Sequence, residues 1–333
     1  MRSLLLLLLL VLARPGVQAW DYDNHRLVTD LALQALPTNF PAFVLTPEAR
    51  ERIRFLSGEA DRWRNTPELS LKHVNHPDHY FDMEFISDLG MMWDTIPSVR
   101  YEFTWLLKKE LERNPDSPLR QIGSEAELTR GLIGFLPWTI AEYFAKLKSS
   151  FSYLKTYEQH GTAAEIANAQ QNILYTMGVM AHFPGDGAQP LHTTKHFNGW
   201  AGPNPNAYTT NRTFHAYIDG GYLARAKLDP AELARTLRVS RPLRSSMEQP
   251  IFELIVAFLN EQFVRVEPLY KLEKRGLLKT GAEPEARQFM AEQLRRGAQF
   301  LSDLWVTAWH EAAPDTHLQS QLAIRKLEQA QPK

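Results

Sequence analysis

His182, Asp186 and His192 fall within Met180-Ala-His-Phe-Pro-Gly-Asp-Gly-Ala-Gln-Pro-Leu-His192 at the spacing His-x3-Asp-x5-His. A second pair, His215 and Asp219, stands four apart in Phe214-His-Ala-Tyr-Ile-Asp219. Residues four apart on a helix share one face, so each pair can aim an imidazole and a carboxylate at one point. Nitrogen and carboxylate oxygen donors gathered in this way suit a divalent cation, zinc above all. The chain has no cysteine, which excludes thiolate sites and disulfides and leaves zinc only N and O ligands. Pro184 falls inside the first motif. In a helix interior it removes a backbone donor at a cost of about 3 kcal/mol, so a local kink is expected there.

The elements that must carry these residues read as helices. Apolar spacing predicts a helix from Asp23 to Leu36, stopped by Pro37. Thr46-Pro47-Glu48 is an N-cap with proline at the first helical position, and predicts a helix from Pro47 to Arg62 that carries Asp61 near its end. Asn65 to Glu84 reads as a loop rich in Pro, Asn, Asp and His. Helices are expected over 97–113 and 124–149, the latter opening on a capping-box pattern, Ser124-x-x-Glu127. Another is expected from Gly161 to Ala181, running into the His182 motif. Lys195 to Asn211 reads as a second loop, and helical patterns return at 212–226, 230–238, 246–271 and 284–312. The polar tail after Pro314 is expected to fray. No strand alternation appears, so the fold class is all-α. The organisation expected is a leader over 1–19, one helical domain over 20–313 and a C-terminal tail over 314–333.

The chain has 333 residues, 44% hydrophobic and 23% charged, with a formal net charge of −1. That composition predicts a packed core and offers no basic patch for nucleic acid. A site acting on phosphates would take its positive field from bound metal. Met1-Arg2-Ser3, a leucine run and the small-residue site Val17-Gln18-Ala19 read as a secretory signal peptide. Cleavage between Ala19 and Trp20 and a secreted or periplasmic location are expected. Asn211-Arg212-Thr213 is a glycosylation sequon.

His25, Glu59-Ala-Asp61 and His79-Tyr-Phe-Asp82 precede the two motifs in chain order. With them, the set resembles the three-zinc family that joins the single-strand-specific nucleases (nuclease P-one and nuclease S-one) to the bacterial zinc-dependent phospholipases C. The most specific part is His182-Phe-Pro-Gly-Asp186 followed by Gln189-Pro-Leu-His192. The resemblance implies a single multi-helix domain of the phospholipase C / P-one nuclease type and three zinc ions. It implies Asp61, His79, His182 and Asp186 on the first zinc, and His192, His215 and Asp219 on the second. The third would take the Trp20 amine and carbonyl, His25, and Asp186 as a bridge. Processing would then free the amine that the site needs.

The activity so implied is a phosphodiesterase, an endonuclease of single-stranded DNA or RNA acting through a zinc-bridged hydroxide that Asp61 orients. The resemblance also implies a base stacked on Tyr80, a base hydrogen bond at Asp82 and a phosphate contact at Arg64. Base–aromatic stacking contributes roughly 1–3 kcal/mol with any base. Tyr80 and Phe81 are equally compatible with core packing, and Arg64 with a solvated surface. His73, His76 and His196 read as loop residues outside the site, and Phe300, Trp305 and Trp309 as core. Two other readings remain open: a phospholipase C acting on phospholipid, and a non-catalytic secreted helical zinc protein.

Overall fold

A computed structural model describes residues 21–244 and 250–330. The leader 1–19, the Ala19–Trp20 boundary and Trp20 itself lie outside the described residues. Helix α1 (Tyr22–Gln34) opens on Asp21, whose carboxylate accepts from the Asn24 N–H at 3.1 Å. Helix α2 (Pro47–Leu56) starts as expected, with the Thr46 hydroxyl capping the Ala49 N–H. It ends at Ser57-Gly58, and α3 (Glu59–Asn65) begins there, so the single expected helix is two. The stretch expected as a loop contains α4 (Leu69–Asn75) and 3-10 turns at His76–His79 and Met83–Leu89. None of the α4 residues is buried, so it leaves no apolar stripe for sequence periodicity to detect.

After α5 (Arg100–Arg113), α6 runs Leu136–His160. The expected box at Ser124 does not form: the Glu127 carboxylate pairs with Lys72 and His76, each at 3.2 Å. The box that does form is at Thr162 and Glu165, opening α7 (Ala163–Ala188). Helix α7 continues through Pro184, beyond its expected end. Two short helices, α8 (Phe214–Ala216) and α9 (Leu223–Ala226), flank a π-helical turn at Tyr217–Tyr222. Helix α10 (Pro230–Arg235) precedes α11 (Pro250–Phe263) and α12 (Val266–Lys274), which divide the long helix expected over 246–271. Helix α13 (Pro284–Glu311) follows. The tail forms α14 (Thr316–Ala330), held to α7 by Arg325 and Glu165 at 2.6 Å, with Leu322 buried.

The organising element is α7, which packs against α1, α2, α6 and α13. Its residues 177–188 are buried on every side, the pattern of a helix at the centre of a core. Close packing requires small residues. A Cβ on Gly178 would stand 2.5 Å from Leu56 Cβ, and one on Gly185 would stand 3.0 Å from His25 Nδ1.

The described residues contain helices, one isolated β-bridge between Phe81 and Gly134, and no sheet. The all-helical expectation therefore stands. Its narrower part, the phospholipase C / P-one nuclease type, is corrected: the architecture carries a helical assembly without a sheet and nothing narrower. No helix among the described residues is long and apolar enough to cross a membrane.

Candidate metal centre

Seven separate segments deliver the side chains. Helix α1 supplies His25, α3 supplies Asp61, and the turn His76–His79 ends on His79. Helix α7 supplies His182 and Asp186, a 3-10 turn at Pro190–Thr193 supplies His192, α8 supplies His215, and the π turn supplies Asp219. Backbone pairing fixes the approach of the middle segments: the Phe81 N–H donates to His192 O at 2.8 Å, and the Asp82 N–H to Ile133 O at 2.7 Å.

These residues gather into three buried groups: His25 with His182 and Asp186; Asp61 with His79 and His182; and His192 with His215 and Asp219. His182 Nε2 lies 3.1 Å from Asp186 Oδ2 across one turn of α7, so Pro184 leaves their shared face intact. His79 Nδ1 lies 2.9 Å from both His182 Nε2 and Asp186 Oδ2. Asp61 Oδ1 is 3.9 Å from each of those two ring nitrogens. The other Asp186 oxygen faces His25 Nε2 at 3.3 Å, so this carboxylate joins two groups. In the remaining group, His215 Nε2 is 3.0 Å from His192 Nε2 and 3.0 Å from Asp219 Oδ2.

Hydrogen bonds outside these groups set two of the rings. His182 Nδ1 donates to Ser57 O at 2.8 Å, and His192 Nδ1 donates to His79 O at 2.6 Å. A neutral ring protonated at Nδ1 presents the Nε2 lone pair, and in both residues Nε2 points into the cluster. Backbone carbonyls behind ligating histidines set tautomer and ring orientation in this way. Because His182 has only Nε2 to offer, and that atom faces Asp61, His79 and Asp186, the third group rests chiefly on His25 and Asp186 among the described residues. Gln189 completes the outer layer: its amide donates to Asp219 Oδ1 at 2.7 Å and accepts from the Leu191 N–H at 2.7 Å.

The donor set fits cations. Both nitrogens of His25, Asp186 Oδ1 and Asp219 Oδ2 are buried without a hydrogen bond among the described residues. A buried polar atom left in that state costs about 1–3 kcal/mol, and a cation removes the penalty for those that ligate. Imidazole and carboxylate without thiolate is a zinc donor set, and the groups match three zinc sites.

Burial and the neighbouring charges shift the titrating groups in both directions: burial lowers His182, but Asp186 and Asp61 outweigh it and leave the ring above its ordinary value. Burial holds His25 down to about 4, and holds His79 and His215 down to about 3 with help from Arg64. Burial pushes Asp186 up, but the His182 and His192 rings outweigh it and keep the carboxyl well below its usual range. Asp61 is likewise held below its ordinary value: burial raises it, and Arg64 and the nearby histidines more than offset that. Asp219 is pushed well above its ordinary value by burial, against the pull of His192.

A cavity of about 500 Å³ opens beside the centre, with His79, His192 and His215 in its wall. Arg64, Tyr80 and Asp82 line the same cavity. Arg64 is buried and reaches Asp61 Oδ1 at 2.7 Å, which removes its reading as a solvated surface residue. Burial raises both the Tyr80 phenol and the Asp82 carboxyl. Phe81 is fully buried against Phe103 and Trp138, the core position open to it from the sequence. Sequence reasoning missed Lys72, Glu127 and Phe197 in the wall. It also set His76 aside, whereas His76 lines the cavity and pairs with Glu127. The signal for these was weak, since they come from a helix with no buried stripe and from two irregular turns. His196 stacks on Trp200 at 3.9 Å, and His73 bonds its own helix at Leu69 O.

No protein-family model matches the sequence, and no curated protein matches it. The resemblance to the three-zinc nucleases and phospholipases C is accordingly corrected, and the chain is not assigned to that family. What stands is an all-helical protein with three buried His/Asp groups that form three zinc sites. Such a centre beside a cavity is that of a metalloenzyme, in general terms a hydrolase.

Proposed function

We propose that the protein is a zinc-dependent phosphodiesterase that hydrolyses single-stranded DNA or RNA internally. The observation that carries this reading is the composition of the cavity wall. Metal-facing histidines, the cation Arg64, the aromatic Tyr80 and the buried acid Asp82 share one space. A phosphodiester needs charge neutralisation, an aromatic face suits an unpaired base, and a carboxyl can hydrogen-bond a base edge. When bound, the zinc ions supply Lewis acidity and offset phosphate charge.

The chain's own residues do the rest in this reading. Asp61, held by Arg64, orients the attacking water through its carboxylate. Arg64 also contacts the substrate phosphate, and Tyr80 stacks the base next to it. Export follows cleavage between Ala19 and Trp20, and the Trp20 amine completes the third site beside His25.

One observation favours a phospholipid substrate instead. Leu69, Leu71 and Val74 of α4 and Leu128 are exposed, and α4 borders the cavity through Lys72, with His76 just past its end. Apolar side chains at a cavity rim suit a lipid surface. The test compares single-stranded DNA, single-stranded RNA and phosphatidylcholine with zinc-loaded protein, with and without chelator. Chelator-sensitive cleavage of the single strands is expected, and Tyr80→Ala should lose about 5- to 150-fold in kcat/KM, the equivalent of roughly 1–3 kcal/mol of stacking. Release of choline phosphate alone would replace this reading with the lipid one.

A further inference from the structure

We propose that the loop from Lys195 to Arg212 forms a second anion subsite, which takes the neighbouring phosphate of a polymeric substrate. This rests on the phosphodiesterase reading and deepens it: the substrate would be a strand, not a single phosphodiester. Beside the histidine-lined cavity lies a separate hollow of about 330 Å³, with Lys195, Asn198 and Arg212 in its wall. Phe197 lines both spaces, and its ring centre is 5.8 Å from that of His215. A strand with one phosphate at the histidines therefore meets the hollow directly past Phe197.

The chemistry of the hollow suits an anion. Arg212 is exposed and makes no hydrogen bond or ion pair among the described residues. Among the described residues the Lys195 ammonium makes no direct ion pair; it lies 5.2 Å from the centre of the Phe85 ring, within electrostatic reach of Glu84 and Asp82, and its backbone N–H is held by Glu84. Asn198 adds a buried amide oxygen with no donor, which suits a sugar hydroxyl or base amine beside the phosphate.

The loop is also built to hold its shape. The Trp200 N–H donates to Thr209 O at 2.8 Å, and its indole donates to Pro203 O at 2.9 Å. The Trp200 ring lies flat on His196 and edge-on to Tyr270. Gly202 takes a φ of +79° in the wall, where a side chain would be strained. A fixed loop backbone spares the cost of ordering the loop on binding, which leaves only the two side chains to be ordered.

The test uses zinc-loaded protein beginning at Trp20 and its double variant Lys195→Gln, Arg212→Gln. Substrates are a dinucleoside monophosphate, with no flanking phosphate, and a single-stranded oligonucleotide. The subsite predicts that the ratio of kcat/KM, oligonucleotide over dinucleotide, falls about tenfold in the variant. It also predicts a shallower salt dependence on the oligonucleotide, since each lost contact to a single strand removes roughly 0.7 from the log–log slope. Cleavage of both substrates with ratio and slope unchanged would overturn the subsite and leave the phosphodiesterase reading standing. Absence of zinc-dependent cleavage of either would overturn both.

Discussion

Gln189 touches no cation in this account, yet its replacement should weaken one zinc site selectively. Its buried amide donates to Asp219 Oδ1 at 2.7 Å, and its oxygen is held by the Leu191 N–H at the same distance. Gln189→Met keeps the length of the side chain and removes both bonds. A hydrogen bond to a charged group contributes about 1.5–3 kcal/mol. At about 1.4 kcal/mol per decade, that corresponds to roughly 10- to 100-fold in zinc dissociation constant. Loss of outer-shell partners elsewhere costs a similar factor. The weakening should fall on the His192, His215 and Asp219 site, and the other two sites should shift little, because the Gln189 side chain bonds neither; its backbone bond to Asp186 O at 2.9 Å is kept in the variant. It should also grow as pH falls, since a carboxyl must be ionised to ligate. Zinc titration against a chromophoric chelator measures the affinities, and urea unfolding of the zinc-free protein measures the structural cost separately. If the variant lost apo stability but bound all its zinc with unchanged affinity, Gln189 would be a packing residue and the outer-layer argument would fail.

Two further outcomes follow from packing and charge. Gly178→Ala should destabilise the protein by about 1–2 kcal/mol in urea unfolding, because the new Cβ would stand 2.5 Å from Leu56 Cβ and 2.9 Å from Ile53 O. That overpacking outweighs the gain in helix propensity; a neutral result would mean α2 and α7 separate easily. Arg325→Gln should loosen α14 at neutral pH, seen as faster proteolysis of the tail. Arg325 holds the Glu165 carboxyl down to about 2 from an ordinary value of 4.5. A depressed acid contributes stability that is present above its unfolded value and is lost as pH falls through the folded one. The difference between wild type and variant should therefore shrink between about pH 4.5 and pH 2, and a constant difference would exclude the ion pair as its source.

The residues of the site were more legible than the elements that carry them. His182 and Asp186 could be paired from spacing alone, because a one-turn interval is a local property of a helix. The same logic reached His215 and Asp219, although a π turn carries the second. What spacing could not reveal was the use of backbone carbonyls. The break at Ser57-Gly58 divides the helix expected to run to Arg62, and Ser57 O there accepts from His182. Glu127 has the sequence signature of a capping box, but Lys72 and His76, more than fifty residues earlier in the chain, draw its carboxylate away. Helix α4 escaped detection because it buries nothing. The family resemblance drawn from the same motifs went further than the comparisons carry, although the three zinc sites it implied match three buried groups.

The central claim is that the buried histidines and aspartates exist to hold three cations. Elemental analysis by mass spectrometry, on protein purified without added chelator, tests it most directly. The account predicts three zinc ions per chain, with Asp186→Ala losing more than one, because that carboxylate faces both His25 and the His79–His182 pair. A native, folded protein containing no zinc, with Asp186→Ala as stable as wild type in the presence of excess zinc, would contradict it.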